Sequence, residues 1–150
     1  MRRVVITGAG TINALAHDVA GTYAAFAEGR CGIGELDIRD RERLAITIGG
    51  QVRGWDPEVH FNRQQITLYD RFTQFTLWSA RQAIAQSGLN FDGHLGYEAG
   101  VVLGTAAGGT TTWDENYRTV YEEGKNRVHP FVVPRLMNNA AASHISMVHG

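Results

Sequence analysis

A single cysteine and only three prolines occur in 150 residues, and neither sign of charge prevails. One cysteine cannot close an intrachain disulfide, which excludes the stapled framework of a small secreted domain. Lys and Arg number 14 against 15 Asp and Glu, for a formal net charge of -1. That balance supplies no electrostatic footprint for nucleic acid or for an anionic membrane surface. No apolar run approaches the ~18 residues of a membrane span. Met1-Arg2-Arg3 is followed only by Val4 to Thr7 before Gly8 interrupts, too brief for a secretory signal. Repeats and low-complexity tracts are absent as well. These absences describe a cytoplasmic globular chain.

Glycine is what the sequence has in excess, 18 of 150 residues, against a usual share of about 7%. Such enrichment predicts tight turns and close backbone approaches. With 43% hydrophobic and 19% charged residues, the chain has the composition of an ordinary packed domain.

The β-branched run Val4 to Thr7, ending at Gly8-Ala9-Gly10, reads as a buried strand and a tight turn. Val19, Tyr23, Phe26 and Ala27 fall at helical spacing between Asp18, a capping residue, and Gly29, a stop. Leu44, Ile46, Ile48 and Val52 alternate as a half-buried strand would, with Gly49-Gly50 as a bulge or turn. From Phe72 to Ser87 a helix is predicted whose apolar residues cover most of its circumference, Arg81 being its one charge. A helix of that kind belongs inside a large structure. Ala99 to Leu103 predicts a second buried strand, ending at the turn Gly104-Thr105-Ala106-Ala107-Gly108-Gly109. Thr112-Trp113-Asp114-Glu115 fits a capping box, opening a helix with the stripe Trp113, Tyr117, Val120 and Tyr121. Met137, Ala141, Ile145 and Val148 mark a last helix. Strands alternating with helices predict an α/β chain with a mostly parallel sheet. Few strands stand against several helices, so these faces call for more polypeptide to pack on.

Candidate chemistry is sparse. Gly8-x-Gly10 after a strand invites a nicotinamide-dependent reductase, with a pyrophosphate resting on helix-terminal amides. Asn13 replaces the third glycine of that fingerprint, however, and the acidic ribose contact has no counterpart. Cys31 lies in a glycine-rich loop after a helix, the wrong dipole end to activate a thiol, and reads as a small loop residue. His17, His60, His94, His129, His144 and His149 form none of the pairings that metal sites use. The Gly104 to Gly109 turn is the better candidate, because small residues admit a ligand or a second chain close to the backbone. It lacks the Gly-Lys-Ser/Thr ending of a phosphate loop.

Taken together, the segments resemble β-ketoacyl-(acyl-carrier-protein) synthases. Arg3-Val4-Val5-Ile6-Thr7-Gly8 looks like their opening strand, and Gly32-Ile33-Gly34 like the loop after their first helix. Asp70-Arg71-Phe72-Thr73-Gln74-Phe75, continued by Ala80-Arg81-Gln82-Ala83 and Ser87-Gly88-Leu89, resembles their buried helix. The Gly104 to Gly109 turn, Pro130-Phe131-Val132-Val133-Pro134 and Asn139-Ala140-Ala141-Ala142 follow in the family's order. Asn13-Ala14-Leu15-Ala16 departs from the usual Thr-Pro-Leu-Gly, and Ser143 stands where Gly is common.

The resemblance implies a thiolase-like layered α/β fold, with residues 1–150 as part of its N-terminal half and a homodimer as the working unit. It implies decarboxylative Claisen condensation of acyl and malonyl thioesters carried by acyl carrier protein, with no cofactor and no metal. The family's cysteine nucleophile and two histidines fall after the match to Asn139-Ala140-Ala141, so no catalytic residue is expected within 1–150. Ala107 resembles the residue gating the acyl pocket, often a bulkier aliphatic, and Phe131 one lining that pocket near the dimer interface. A non-catalytic partner subunit of the chain-length-factor type is the rival reading, and the reductase a second. Residues 1–150 alone are expected to be neither active nor well folded.

Overall fold

The computed structural model describes residues 3–149. They form two compact units, one made by the chain up to Asp56 together with Trp78–Gly88. The other comprises Pro57–Leu77 and the chain from Leu89 onward.

The first unit holds helix α1 (Val19–Ala27) and the strands β1 (Ile33–Glu35) and β2 (Ile48–Gly50). As the sequence predicts, Asp18 caps α1, its Oδ1 accepting from the Gly21 amide at 2.6 Å. Gly29 follows at φ 67°, the left-handed geometry that ends a helix without a Cβ penalty. The strands pair antiparallel, Gly34 opposite Gly49, in the one ladder found among the described residues. The strand expected across Leu44 to Val52 thus shrinks to three residues. A left-handed Asp40 and the 3₁₀ turn Arg41–Arg43 precede it, and Gly49-Gly50 pairs within the ladder instead of bulging out of it.

Val4 to Thr7 and Ala99 to Leu103, predicted as buried strands, are corrected by the structure. Both lack strand partners among the described residues, and Val4, Ile6 and Val102 are 97%, 92% and 100% exposed. A parallel strand draws its hydrogen bonds and burial from neighbours in the sheet. With none beside them, these apolar runs stay bare, and the parallel sheet is not formed here.

Helix α3 (Arg71–Ser87), which follows the short α2 (Arg63–Leu68), divides between the units. Only Arg71, Ala85 and Gln86 along it are exposed and only Thr73, Gln74 and Leu77 are buried, so a helix expected to need further polypeptide over it is already half-covered by the described residues. Its coat in the first unit is nevertheless partly polar. Trp78, Gln82 and Gln86, spaced by four, face one stretch of loop. The Trp78 indole and the Gln82 amide donate to the His17 carbonyl at 2.7 and 3.0 Å. Gln82 also donates to the Thr11 carbonyl, and Gln86 Oε1 accepts from the Ala9 amide.

These bonds draw Gly8 and Gly10 onto the helix. A Cβ at Gly8 would overlap the Ala83 carbonyl oxygen, and one at Gly10 that of Ser79. Both glycines therefore serve close backbone packing, and α1 starts only at Val19, well after the turn. A pyrophosphate would need helix-start amides at this point, and none lie there. Asn13 gains a role of its own. Its Oδ1 accepts from the Leu15 and Ala16 amides at 2.8 and 3.2 Å while its Nδ2 donates to Thr22 Oγ1 at 2.9 Å. That side chain closes a local turn over residues 13–16, where the Asn13 amide also donates to the Ala16 carbonyl at 2.9 Å.

The second unit gathers α2, the start of α3, α4 (His94–Glu98), α5 (Thr110–Tyr117), α6 (Val132–Leu136) and α7 (Ala140–His149). Its core includes Phe61, Tyr69, Leu77, Ala140, Ala141 and Ile145. The Phe61 and Tyr69 rings meet edge to face at 5.6 Å between centroids. A π-helical turn, Arg118–Glu122, extends α5, and Gly124 at φ 64° ends it. The predicted capping box at Thr112 does not form. Helix α5 begins at Thr110 after Gly109 at its cap position, three residues earlier than that box would place it, leaving Thr112 inside the first turn with its hydroxyl bonded to Asp70. The stripe on α5 faces outward: Trp113, Tyr117 and Tyr121 are all exposed, with adjacent rings 5.5 and 5.8 Å apart.

So much bare apolar surface predicts that the 150-residue chain alone binds anilinonaphthalene sulfonate and melts over a broad range. A sharp transition from a monomer that leaves the dye dark would contradict this.

Candidate functional site

In the second unit, the Gly104 to Gly109 turn is seated against the segment Arg135 to Asn138. The Gly109 amide donates to the Leu136 carbonyl at 3.1 Å. Gly108 sits at φ 63°, where a Cβ would come within 2.6 Å of the Leu136 oxygen. At Gly109 a Cβ would lie 2.7 Å from Leu136 Cα and 3.1 Å from Asp70 Oδ2. Two glycines in succession are required by this approach, which comes from the chain's own backbone where a ligand or a second chain was expected.

Asp70 anchors the other side. It is 2% exposed, and its two oxygens serve two helix starts. Oδ1 accepts from the Phe72 amide of α3 at 3.1 Å. Oδ2 accepts from the Thr112 amide and hydroxyl of α5 at 2.7 and 2.6 Å. Helix N-termini carry free amides and partial positive charge, so a carboxylate is suited to both.

Ala107 is exposed and borders an open apolar cavity of about 580 Å³, together with Thr110, Trp113, Leu136, Met137 and Asn138. Phe131 borders a different cavity of about 380 Å³, whose wall includes Leu68, Met137, Ser143, His144 and Met147. The two residues singled out from the sequence therefore sit on separate pockets, and Met137 lines both. A third apolar pocket, of about 230 Å³, lies along Trp113, Tyr117 and Tyr121. Such walls suit aliphatic chains and offer few groups for polar chemistry. Met137 and His144 were not singled out as pocket residues by sequence reasoning. The helical stripe through Met137 and Ser143's departure from glycine were the signals nearest to them.

The chain matches the sequence profile of the β-ketoacyl synthase N-terminal domain over residues 1–150. It belongs to the β-ketoacyl synthase family. It is 30% identical over 146 residues to 3-oxoacyl-[acyl-carrier-protein] synthase 2 of Staphylococcus aureus (strain N315), covering 97% of this chain and 35% of that protein. The ishigamide ketosynthase/chain length factor superposes with a TM-score of 0.81 at 22% identity, over 97% of this chain and 36% of its own. A type II polyketide synthase acyl-carrier protein in complex with its ketosynthase bound to the hexaketide gives 0.80 at 22% identity, covering 100% and 40%. The chain thus spans about a third of the length of the curated relative, and its fold is the N-terminal third of the thiolase-like ketosynthase fold.

Within this ketosynthase domain Cys31 is exposed in the loop after α1, its Sγ 3.4 Å from the Ile33 amide. The neighbouring Arg30 guanidinium pairs with Glu28 at 2.8 Å. No group of three or more His, Cys, Asp or Glu among the described residues could hold a metal ion. No described helix is long and apolar enough to cross a membrane.

His144 sits half-buried on α7. Burial against the Tyr69 ring, 4.6 Å away between centroids, accompanies a pKa lowered from 6.5 by desolvation of the charged form. The unfolded chain consequently binds more protons than the folded one as pH drops below 6.5. The stability contributed by neutral His144 is complete above that value and is lost as pH falls through the folded pKa. In the polypeptide where the domain folds, denaturant midpoints from pH 8 to 5 should fall less for His144→Gln than for the wild type. Parallel curves would refute this.

Proposed function

We propose that this domain forms part of the acyl-binding half of a 3-oxoacyl-(acyl-carrier-protein) synthase. In the proposed reaction an acyl group passes from acyl carrier protein to a cysteine thiolate. Malonyl thioester on carrier protein loses CO₂, and the resulting carbanion attacks the acyl carbonyl. The C–C bond forms as the cysteine thiolate leaves. The nucleophilic cysteine and the two histidines belong to polypeptide outside residues 1–150. These residues supply apolar walls, with Ala107 and Phe131 as substrate-binding positions and a homodimer as the working assembly. No cofactor takes part in these steps.

One observation supports the reading above all: open apolar cavities flank a glycine turn and the α6–α7 segment in a chain of this family. An acyl chain is the ligand class such walls accept, because burying each methylene stabilises by about 0.8 kcal/mol. At Ala107 the small side chain leaves the mouth wide, which favours long or bulky acyl groups.

A non-catalytic chain-length-factor subunit is the second reading, favoured by the structural likeness to a ketosynthase/chain length factor. The reductase reading loses its basis, because Gly8 and Gly10 are occupied by packing on α3.

The full polypeptide, given acyl and malonyl carrier-protein thioesters, should release CO₂ and form 3-oxoacyl thioester. Ala107→Phe should lower turnover of the longest acyl groups by about tenfold or more and spare the shortest. Absence of both acyl transfer and CO₂ release from the wild type would exclude the synthase. Stimulation of a separate synthase by such an inactive protein would establish the second reading.

A further inference from the structure

We infer that Asp70 and Thr112 act as a positioning pair that sets the acyl-length preference through the turn carrying Ala107, an inference that rests on the acyl-pocket reading above. Neither residue borders the cavity. Asp70 is 2% exposed and Thr112 fully buried, so neither reaches a ligand. Their effect has to pass through backbone.

The path is short. Asp70 Oδ2 holds the Thr112 amide and hydroxyl at 2.7 and 2.6 Å. Thr112 is the third residue of α5, and Ala107 lies five residues before it, at the edge of the about 580 Å³ cavity. Between them Gly108 and Gly109 press on Leu136, and the Gly108 amide donates to Thr105 Oγ1 at 3.1 Å. The start of α5 has no cap of its own, since Gly109 carries no side chain. A carboxylate from a distant helix start therefore replaces a local cap. If that bond is released, the first turn of α5 is free to fray, as uncapped helix ends do. The cavity edge formed by Ala107, Thr110 and Trp113 then loses its fixed position.

The two groups are not equivalent as levers. Asp70→Asn replaces one acceptor oxygen with an amide donor, and a donor facing the Phe72 or Thr112 amide repels it. Thr112→Val deletes the hydroxyl's hydrogen bond at near-constant shape and so weakens the hold of Asp70 Oδ2 on α5, which two bonds share in the wild type. Thr112→Ser keeps the hydroxyl.

In the full polypeptide, turnover is measured against carrier-protein thioesters of graded acyl length. Thr112→Val and Asp70→Asn should broaden the profile or shift its maximum by about two carbons or more, and Thr112→Ser should return it to that of the wild type. A uniform fall at every length, or an unchanged profile, overturns the inference, since a merely structural role lowers all lengths alike. Should Asp70→Asn fail to fold, the Thr112 pair decides. A wild type inactive on every thioester defeats the acyl-pocket reading instead, and hydrogen exchange then tests the pair alone. Thr112→Val should speed exchange of the Gly108 to Trp113 amides about tenfold while leaving α7 unchanged. Equal exchange in both proteins overturns the positioning role.

Discussion

A carboxylate removed from water must find donors, and Asp70 finds them at the starts of two helices at once. Its buried oxygens hold Phe72 two residues on in α3 and Thr112, 42 residues on, in α5. Much of the second unit follows from that arrangement. With α5 pinned at its third residue, the preceding Gly108 and Gly109 are carried against Leu136 so closely that neither tolerates a side chain. The cavity edges at Ala107 and Trp113 are then placed by the same anchor. A local capping box at Thr112 to Glu115 would have satisfied the helix amides without positioning the turn. The tertiary cap does both.

Glycine recurs as the residue that lets backbone meet backbone. In the first unit Gly8 and Gly10 lie on the carbonyls of Ala83 and Ser79, held by side chains spaced along α3. The same pair that invites a dinucleotide reading thus has its Cα surfaces covered. Only the position of α3 distinguishes a phosphate-binding turn from a packing turn, because both require the absence of Cβ. Asn13, which spoils the fingerprint, makes a local turn by accepting from two amides beyond it.

Apolar surface left bare is equally informative. Val4, Ile6 and Val102 have strand-like sequences and no strand partners among the described residues, and the aromatic face of α5 points away from its own unit's core. The 3-oxoacyl synthase relative is nearly three times as long as the matched region.

The capping residue Asp18, the stop at Gly29 and the helical span of α3 were legible from the sequence because each depends on neighbours a few positions away. Family membership was legible as well, through short segments kept in order along the whole chain. Which glycines pack and which could bind, where α5 begins, and that Ala107 and Phe131 face separate cavities were decided by tertiary structure alone. Such features depend on contacts between residues such as Asp70 and Thr112 that are distant along the chain. Local spacing encodes dihedral preference and hydrophobic period, and it carries no record of what a side chain meets across the fold.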